Sequence, residues 1–347
     1  MEPTNTAAIY PSDRAPALII GPSPYPTPSA NEVIVRVSAA AINSVDHKVQ
    51  DLGTMIFPFL TFPLVGGLDI AGTIVQVGTA ARSKFSPGDR VLGFPSEFVS
   101  RSGGFQNYVA VPADLVSAIP AATSFVDAAV LPANVATAAV ALFHYLGLEP
   151  PSPSSGSPSA AKNQTVLVTA GASSVGSNAI QLAAAAGYEV YTTSSPKHFA
   201  HCASLGAAKV FDYHSATLSS EIQAALKGKQ LAGALSCVDG SNALVWDVAA
   251  ASEGSKKVAC TLLFSTEGVP EGITTEMIHA NWIKDTPLAE TIYGSFLPAA
   301  LADGRYKCEP KPLVVGRGLE AVQAAFEVSK NGAVSCQKLV VVIEGDA

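Results

Sequence analysis

The strongest constraint on this chain is the regular alternation of short apolar strands and helical segments through its middle third. Residues 165–169 form an unbroken apolar strand, followed by a Gly/Ser turn and a helical pattern over 175–186. Strand patterns at 188–193, 209–213, 232–237 and 257–264 then alternate with helical patterns at 198–205, 218–226 and 242–251. Strand and helix in this rhythm predict a doubly wound parallel sheet, so the fold class is α/β.

The first third has a different period. Residues 32–38 (EVIVRVS), 70–77 (IAGTIVQV) and 105–111 (FQNYVAV) alternate in hydropathy as half-buried strands do, and Ser86-Pro-Gly-Asp-Arg90 is a turn leading into a strand at 91–94. Short strands separated by Gly and Pro predict a compact β-barrel-like domain. The tail reads as a helix over 319–328 and a closing strand over 338–343, and residues 150–160 (PPSPSSGSPSA) as an exposed low-complexity loop.

A chain of 347 residues suits two domains, and 48% hydrophobic against 14% charged residues leaves ample core material. A net charge of −7 argues against nucleic acid or an anionic membrane as partner. The five cysteines lie apart with no CxxC pair, which predicts idle thiols in a reducing compartment rather than a disulfide framework. The polar, proline-containing start is unlike a signal peptide, and no unbroken apolar run reaches the roughly 18–20 residues of a membrane span. The expected location is cytoplasmic.

Strand, turn and helix meet at Val166-Leu-Val-Thr-Ala-Gly-Ala-Ser-Ser-Val-Gly176. Small residues here let backbone approach a pyrophosphate while a helix N-terminus points N–H groups at it. Gly171 and Gly176 remain of the usual glycines, with Ala172, Ser173, Ser174 and Val175 around them; a tight turn without ligand has the same local pattern. The second strand ends at Thr192-Thr-Ser-Ser-Pro-Lys-His198. An NAD site usually carries an acid there for the ribose 2′-hydroxyl. Ser194, Ser195 and Lys197 suit a 2′-phosphate better, so the expected cofactor is NADPH. An ordinary helix start with a solvated lysine fits the same residues.

Taken together, the pieces resemble the medium-chain dehydrogenase/reductase superfamily over nearly the whole chain. The matching residues are Ala41-Ile-Asn-Ser-Val-Asp46, Gly67-Leu-Asp-Ile-Ala-Gly72, Gly88-Asp-Arg-Val-Leu-Gly93, Gly103-Gly-Phe-Gln-Asn-Tyr-Val109, Leu131-Pro132 with Thr137, and the dinucleotide turn. Leu205-Gly-Ala207, Val210-Phe-Asp-Tyr213 and Gln337-Lys-Leu-Val-Val341 are similar to the quinone-oxidoreductase-like and fungal trans-acting enoyl reductase branch. The resemblance implies a GroES-like β-barrel catalytic domain over 1–126, a Rossmann NADPH-binding domain over 127–296, and a return to the catalytic domain over 297–347. Zinc-dependent relatives carry Cys where Asn43 stands and a His-Glu pair where Leu68-Asp69 stands, and their cysteine-rich lobe after Gly93 has no counterpart because all five cysteines lie after residue 200, so neither a catalytic nor a structural zinc is expected.

The resemblance further implies a nicotinamide site, between the two domains, built by Asn43, Lys48 and Thr137, with Tyr213 and Lys197 holding the 2′-phosphate. Asp46 reads as a loop support, His47 as a lesser candidate proton donor, and Asp69 as a buried hydrogen-bonding residue. Thr137 also fits a helix-lining role, and Lys48 a solvated surface charge. The stretch 282–297 is short beside the longer enoyl reductases, so substrate size does not carry over from them. The expected activity is hydride transfer to an activated C=C bond of an enoyl, enone or quinone. Carbonyl or alcohol redox chemistry, and a non-redox isomerase, cyclase or scaffold, are the alternatives. The expected partner is a small-molecule or acyl substrate, with polyketide synthase products among the candidates, and the expected state is monomer or homodimer.

Overall fold

The computed structural model describes residues 3–152, 161–238, 240–332 and 334–343. Most of the low-complexity loop, residues 153–160, lies outside the described residues. The chain forms two compact units, one of residues 1–133 with 293–347 and the other of residues 134–292.

The second unit is built on a six-stranded parallel sheet. From one edge its strands are Ala207–Asp212, Glu189–Ser194, Gln164–Val168, Gln230–Ser236, Lys257–Cys260 and Thr274–Met277. The chain therefore winds outward from Gln164–Val168 on one side, then restarts beside it with Gln230–Ser236 and winds outward on the other. That reversal leaves a crevice at the carboxyl ends of the two central strands, where doubly wound sheets bind their ligands. Leu167, Tyr191, Leu231, Ala234 and Val258 on the sheet pack with Ile222, Leu226, Val245, Trp246 and Val248 on its helices. These strands read as continuous apolar runs because helices cover both faces.

The first unit is a β-domain. Its largest sheet runs Lys311–Arg317, Gln337–Val342, Glu32–Ala41, Asp69–Val77, Arg90–Gly93 and Val116–Ala118, with Tyr108–Pro112 also pairing Glu32–Ala41. The strand near the C-terminus thus sits beside one from the first fifty residues, antiparallel, with Val340 opposite Ala41. Val33, Val35, Val37, Ile70, Val109 and Phe326 are fully buried in its core.

Two sequence expectations change. The strand predicted over 257–264 stops at Cys260: the Thr261 N–H still reaches the Ser236 carbonyl (2.9 Å), after which the chain leaves the sheet and Phe264 is exposed. The strand predicted from residue 105 starts at Tyr108, because Phe105 and Gln106 bond across to Gly66 and pair with Ala7 instead. The helical stretch Phe125–Tyr145 spans 21 residues and is long and apolar enough to cross a membrane by length and composition, with a mean hydropathy of 1.7 in its most apolar window, although it is not an unbroken apolar run. Pro132, Asn134 and Thr137 interrupt it in sequence, but Pro132 sits at a helix start, where a missing N–H costs nothing. In its most apolar window 78% is buried within the protein, so this surface is already used as core.

Candidate functional site

The dinucleotide turn forms as its residues predict. Ala170 takes a left-handed conformation (φ 50), and Ser173 caps the helix Ser174–Ala185 by accepting from the Gly176 N–H at 3.1 Å. The amides of Ser174 and Val175, the first two helix positions, have no intrahelical carbonyl to bond and face outward from the helix start. The turn is braced from the next strand: Ala170 N–H donates to Thr193 Oγ1 (3.0 Å) and Gly171 N–H to the Thr193 carbonyl (2.8 Å). Close approach explains both glycines. A Cβ at Gly171 would lie 2.4 Å from Thr192 Oγ1, and one at Gly176 only 2.2 Å from the Ala170 carbonyl oxygen. The cradle therefore fits a dinucleotide pyrophosphate.

The rim beside it gathers most of the other predicted cofactor residues. Ser194 ends its strand buried, Ser195 begins the short turn Pro196–His198, and Lys197 is exposed and forms no ion pair among the described residues. The Tyr213 N–H donates to the Ser194 carbonyl at 3.2 Å, which brings the ends of two strands together. The exposed Tyr213 ring lies tilted at 35° against the His214 ring, with centroids 4.0 Å apart. Sequence reading missed Asp212, which the sheet register sets beside Ser194. Its carboxylate accepts from the His214 N–H (3.0 Å) and contacts Nδ1 (2.8 Å), contacts that hold it below the usual carboxylate range. Also missed was His201, whose Nε2 lies 3.1 Å from Ser177 Oγ under the turn.

In the same unit, Thr137 lies half-buried on the helix Pro132–Ala139. The other two candidates belong to the first unit, at the start of the helix Ser44–Leu52. Lys48 is half-buried and without an ion pair among the described residues. Asn43 is the N-cap, and its side chain is held on both ends: Nδ2 donates to Asp69 Oδ2 (2.8 Å) and Oδ1 accepts from Lys338 Nζ (2.5 Å). Asp69 is fully buried, as its apolar neighbours implied, and its other oxygen accepts from the Ala133 N–H at 2.5 Å. His47 turns toward Asp51 at 3.5 Å, along its own helix. No group of three or more His, Cys, Asp or Glu side chains among the described residues could hold a metal ion.

Asp46 supports the loop: its Oδ2 accepts from the Asn43 N–H at 2.7 Å. Burial pushes its carboxyl up to about 7, against the pull of the Asn43 N–H and of the Lys338 ammonium, with Asp69 adding to the rise. A carboxyl raised on folding binds its proton more tightly in the native state, so its contribution favours folding at low pH and is lost as pH rises through about 7. The loss runs to at most about 4 kcal/mol between pH 4 and pH 7. Asp46→Asn keeps an acceptor for the Asn43 N–H without the charge. Urea unfolding should show it more stable than the wild type by about 2–4 kcal/mol at pH 8 and equal within error at pH 4. Equal gains at both values would remove ionisation of Asp46 as the cause.

Fold and cradle together define a two-domain oxidoreductase of the nicotinamide-binding kind, and the chain belongs to the medium-chain dehydrogenase/reductase family. Residues 29–121 match the alcohol dehydrogenase GroES-like domain and residues 174–270 match the family model called zinc-binding dehydrogenase. The chain is 40% identical to dehydrogenase pigH of Monascus ruber, covering 98% of this chain and 99% of that one. It is 35% identical to trans-enoyl reductase himH of Aspergillus japonicus, covering 98% and 97%. The crystal structure of CurK enoyl reductase superposes with a TM-score of 0.74 at 23% identity over 98% of this chain and 99% of the other, a likeness of fold.

Proposed function

We propose that this protein is an NADPH-dependent, zinc-free reductase acting on an activated C=C bond of a small-molecule or acyl substrate. The observation that carries the cofactor assignment is the rim of the cradle. Its second strand ends in Ser194, Ser195 and Lys197 rather than in an acid, and Tyr213 is tied to Ser194. Likeness to himH, named a trans-enoyl reductase, supports the substrate class.

When bound, NADPH supplies a hydride to the β-carbon of the acceptor, leaving an electron pair on the conjugated carbonyl oxygen. The chain's own residues then have four tasks. The small turn and the amides of Ser174 and Val175 hold the pyrophosphate, and Thr137 orients the nicotinamide end. Asn43, fixed at both ends, shapes the wall beside the substrate. Lys48 stabilises the oxyanion or delivers the proton that the α-carbon takes up. Cation and hydroxyl donors substitute for a Lewis acid here, because the position taken by cysteine in zinc-dependent relatives is Asn43.

One observation favours NADH: Asp212, beside Ser194, offers a carboxylate that suits a ribose 2′-hydroxyl. Fluorescence titration with both coenzymes decides between them, with NADPH expected to bind about tenfold or more tightly. Steady-state assay on enones should show Lys48→Ala lowering kcat about tenfold to a hundredfold with NADPH affinity unchanged. Unchanged kcat removes Lys48 from the chemistry. Turnover of a simple ketone faster than of its enone overturns the C=C assignment.

A further inference from the structure

We infer that Lys338 is a positioning residue of the active site, acting through Asn43. The inference rests on the proposed role of Asn43 as a wall of the substrate site.

Lys338 stands on the strand Gln337–Val342, far from the site residues in sequence, yet its side chain is only 4% exposed. A buried ammonium is costly unless paired and hydrogen-bonded. Here it meets two partners, Asp69 Oδ2 at 3.0 Å and Asn43 Oδ1 at 2.5 Å. The third side of the triangle is the bond from Asn43 Nδ2 to the same Asp69 oxygen, 2.8 Å. Each group has one chemistry only: the ammonium donates, the carboxylate accepts, and the carboxamide must turn its oxygen to the first and its nitrogen to the second. The triangle thus fixes the flip of the Asn43 carboxamide.

Sheet register puts the three groups there. Val340 pairs with Ala41, and the Ile42 N–H bonds the Leu339 carbonyl at 2.9 Å, which sets Lys338 across from Asn43. Ala41 also pairs with Asp69 on its other side. The second Asp69 oxygen is taken by the Ala133 N–H, so the carboxylate cannot swing away. Removing the ammonium takes a donor from Asn43 Oδ1 and the cation 3.0 Å away from the buried Asp69 carboxylate.

A merely structural ion pair predicts something different. Replacing a buried pair by apolar groups of similar volume is often neutral or stabilising. If the pair served stability alone, such a replacement would restore activity along with the fold. If Lys338 positions Asn43, activity stays low in a well-folded protein.

The experiment compares the wild type, Lys338→Met and Lys338→Met/Asp69→Leu. NADPH affinity comes from fluorescence titration, kcat and KM from enone reduction, and folding from circular dichroism and thermal melting. Lys338→Met is expected to lower kcat about tenfold or more, the scale of a misplaced wall residue. NADPH affinity stays within about threefold of wild type, since the cradle is built from other residues. The double variant is expected to melt within a few degrees of wild type while kcat stays down. A folded double variant with kcat within about twofold of wild type overturns the inference. So does loss of cooperative melting in both variants, which assigns Lys338 to the fold alone. A wild type that binds NADPH but reduces no enone or quinone overturns the proposed function instead.

Discussion

Gly176→Ala is expected to weaken NADPH binding by thirtyfold or more, about 2 kcal/mol. Its added methyl would lie 2.2 Å from the Ala170 carbonyl oxygen and 2.9 Å from Gly171 Cα, both backbone atoms with no rotamer to change. Relief requires the turn to open, which carries the helix start away from the pyrophosphate and breaks the Ser173 cap. Loss of that cap costs about 1 kcal/mol of stability as well. Fluorescence titration measures the first effect and urea unfolding the second. Gly228→Ala is a useful control, since its Cβ meets nothing within 4 Å and only its left-handed backbone (φ +73) is strained. Affinity within about threefold of wild type for Gly176→Ala would show that the turn does not carry the phosphates.

The second large effect concerns coenzyme choice. Lys197→Ala removes the one cation at the end of the second strand, and an exposed charge-assisted bond to phosphate is worth about 1–2 kcal/mol. NADPH should bind about tenfold more weakly and NADH within about twofold of its wild-type affinity. The difference should shrink as salt is raised, because the site is open to solvent. Equal weakening of both coenzymes means that Lys197 supports the turn rather than reading the phosphate. If instead Asp212→Asn weakens NADH alone and NADH is the tighter ligand of the wild type, the ribose-hydroxyl reading replaces it.

Much of the architecture could be read from local pattern. The helices Leu218–Leu226 and Asn242–Ala251 coincide with the expected ranges, and the strands around 165, 190, 210 and 232 fall within a few residues. Their signals are short-range: hydropathy period, caps and glycines act over one or two turns of chain. The strand over 257–264 was read too long because apolar residues continue past Cys260, while hydrogen-bond partners in the sheet do not. The helix Phe125–Tyr145 was hidden because a proline inside an apolar run looks like a break until its position at a helix start is known.

The site divides along the same line. The local shape of the turn was legible in sequence, since Gly171, Ser173 and Gly176 act within one turn and a single helix end. The burial of Asp69 was legible too, because its apolar neighbours are local, and the loop-bracing role expected for Asp46 takes its physical form in the capping box with Asn43. Only the tertiary structure decided that Lys338 reaches Asn43, about three hundred residues away in the chain, and that Asp212 lies beside Ser194. Such pairs are set by strand order and register, which are global properties of a sheet. The requirement that a buried charge find a partner becomes visible only once burial itself is known.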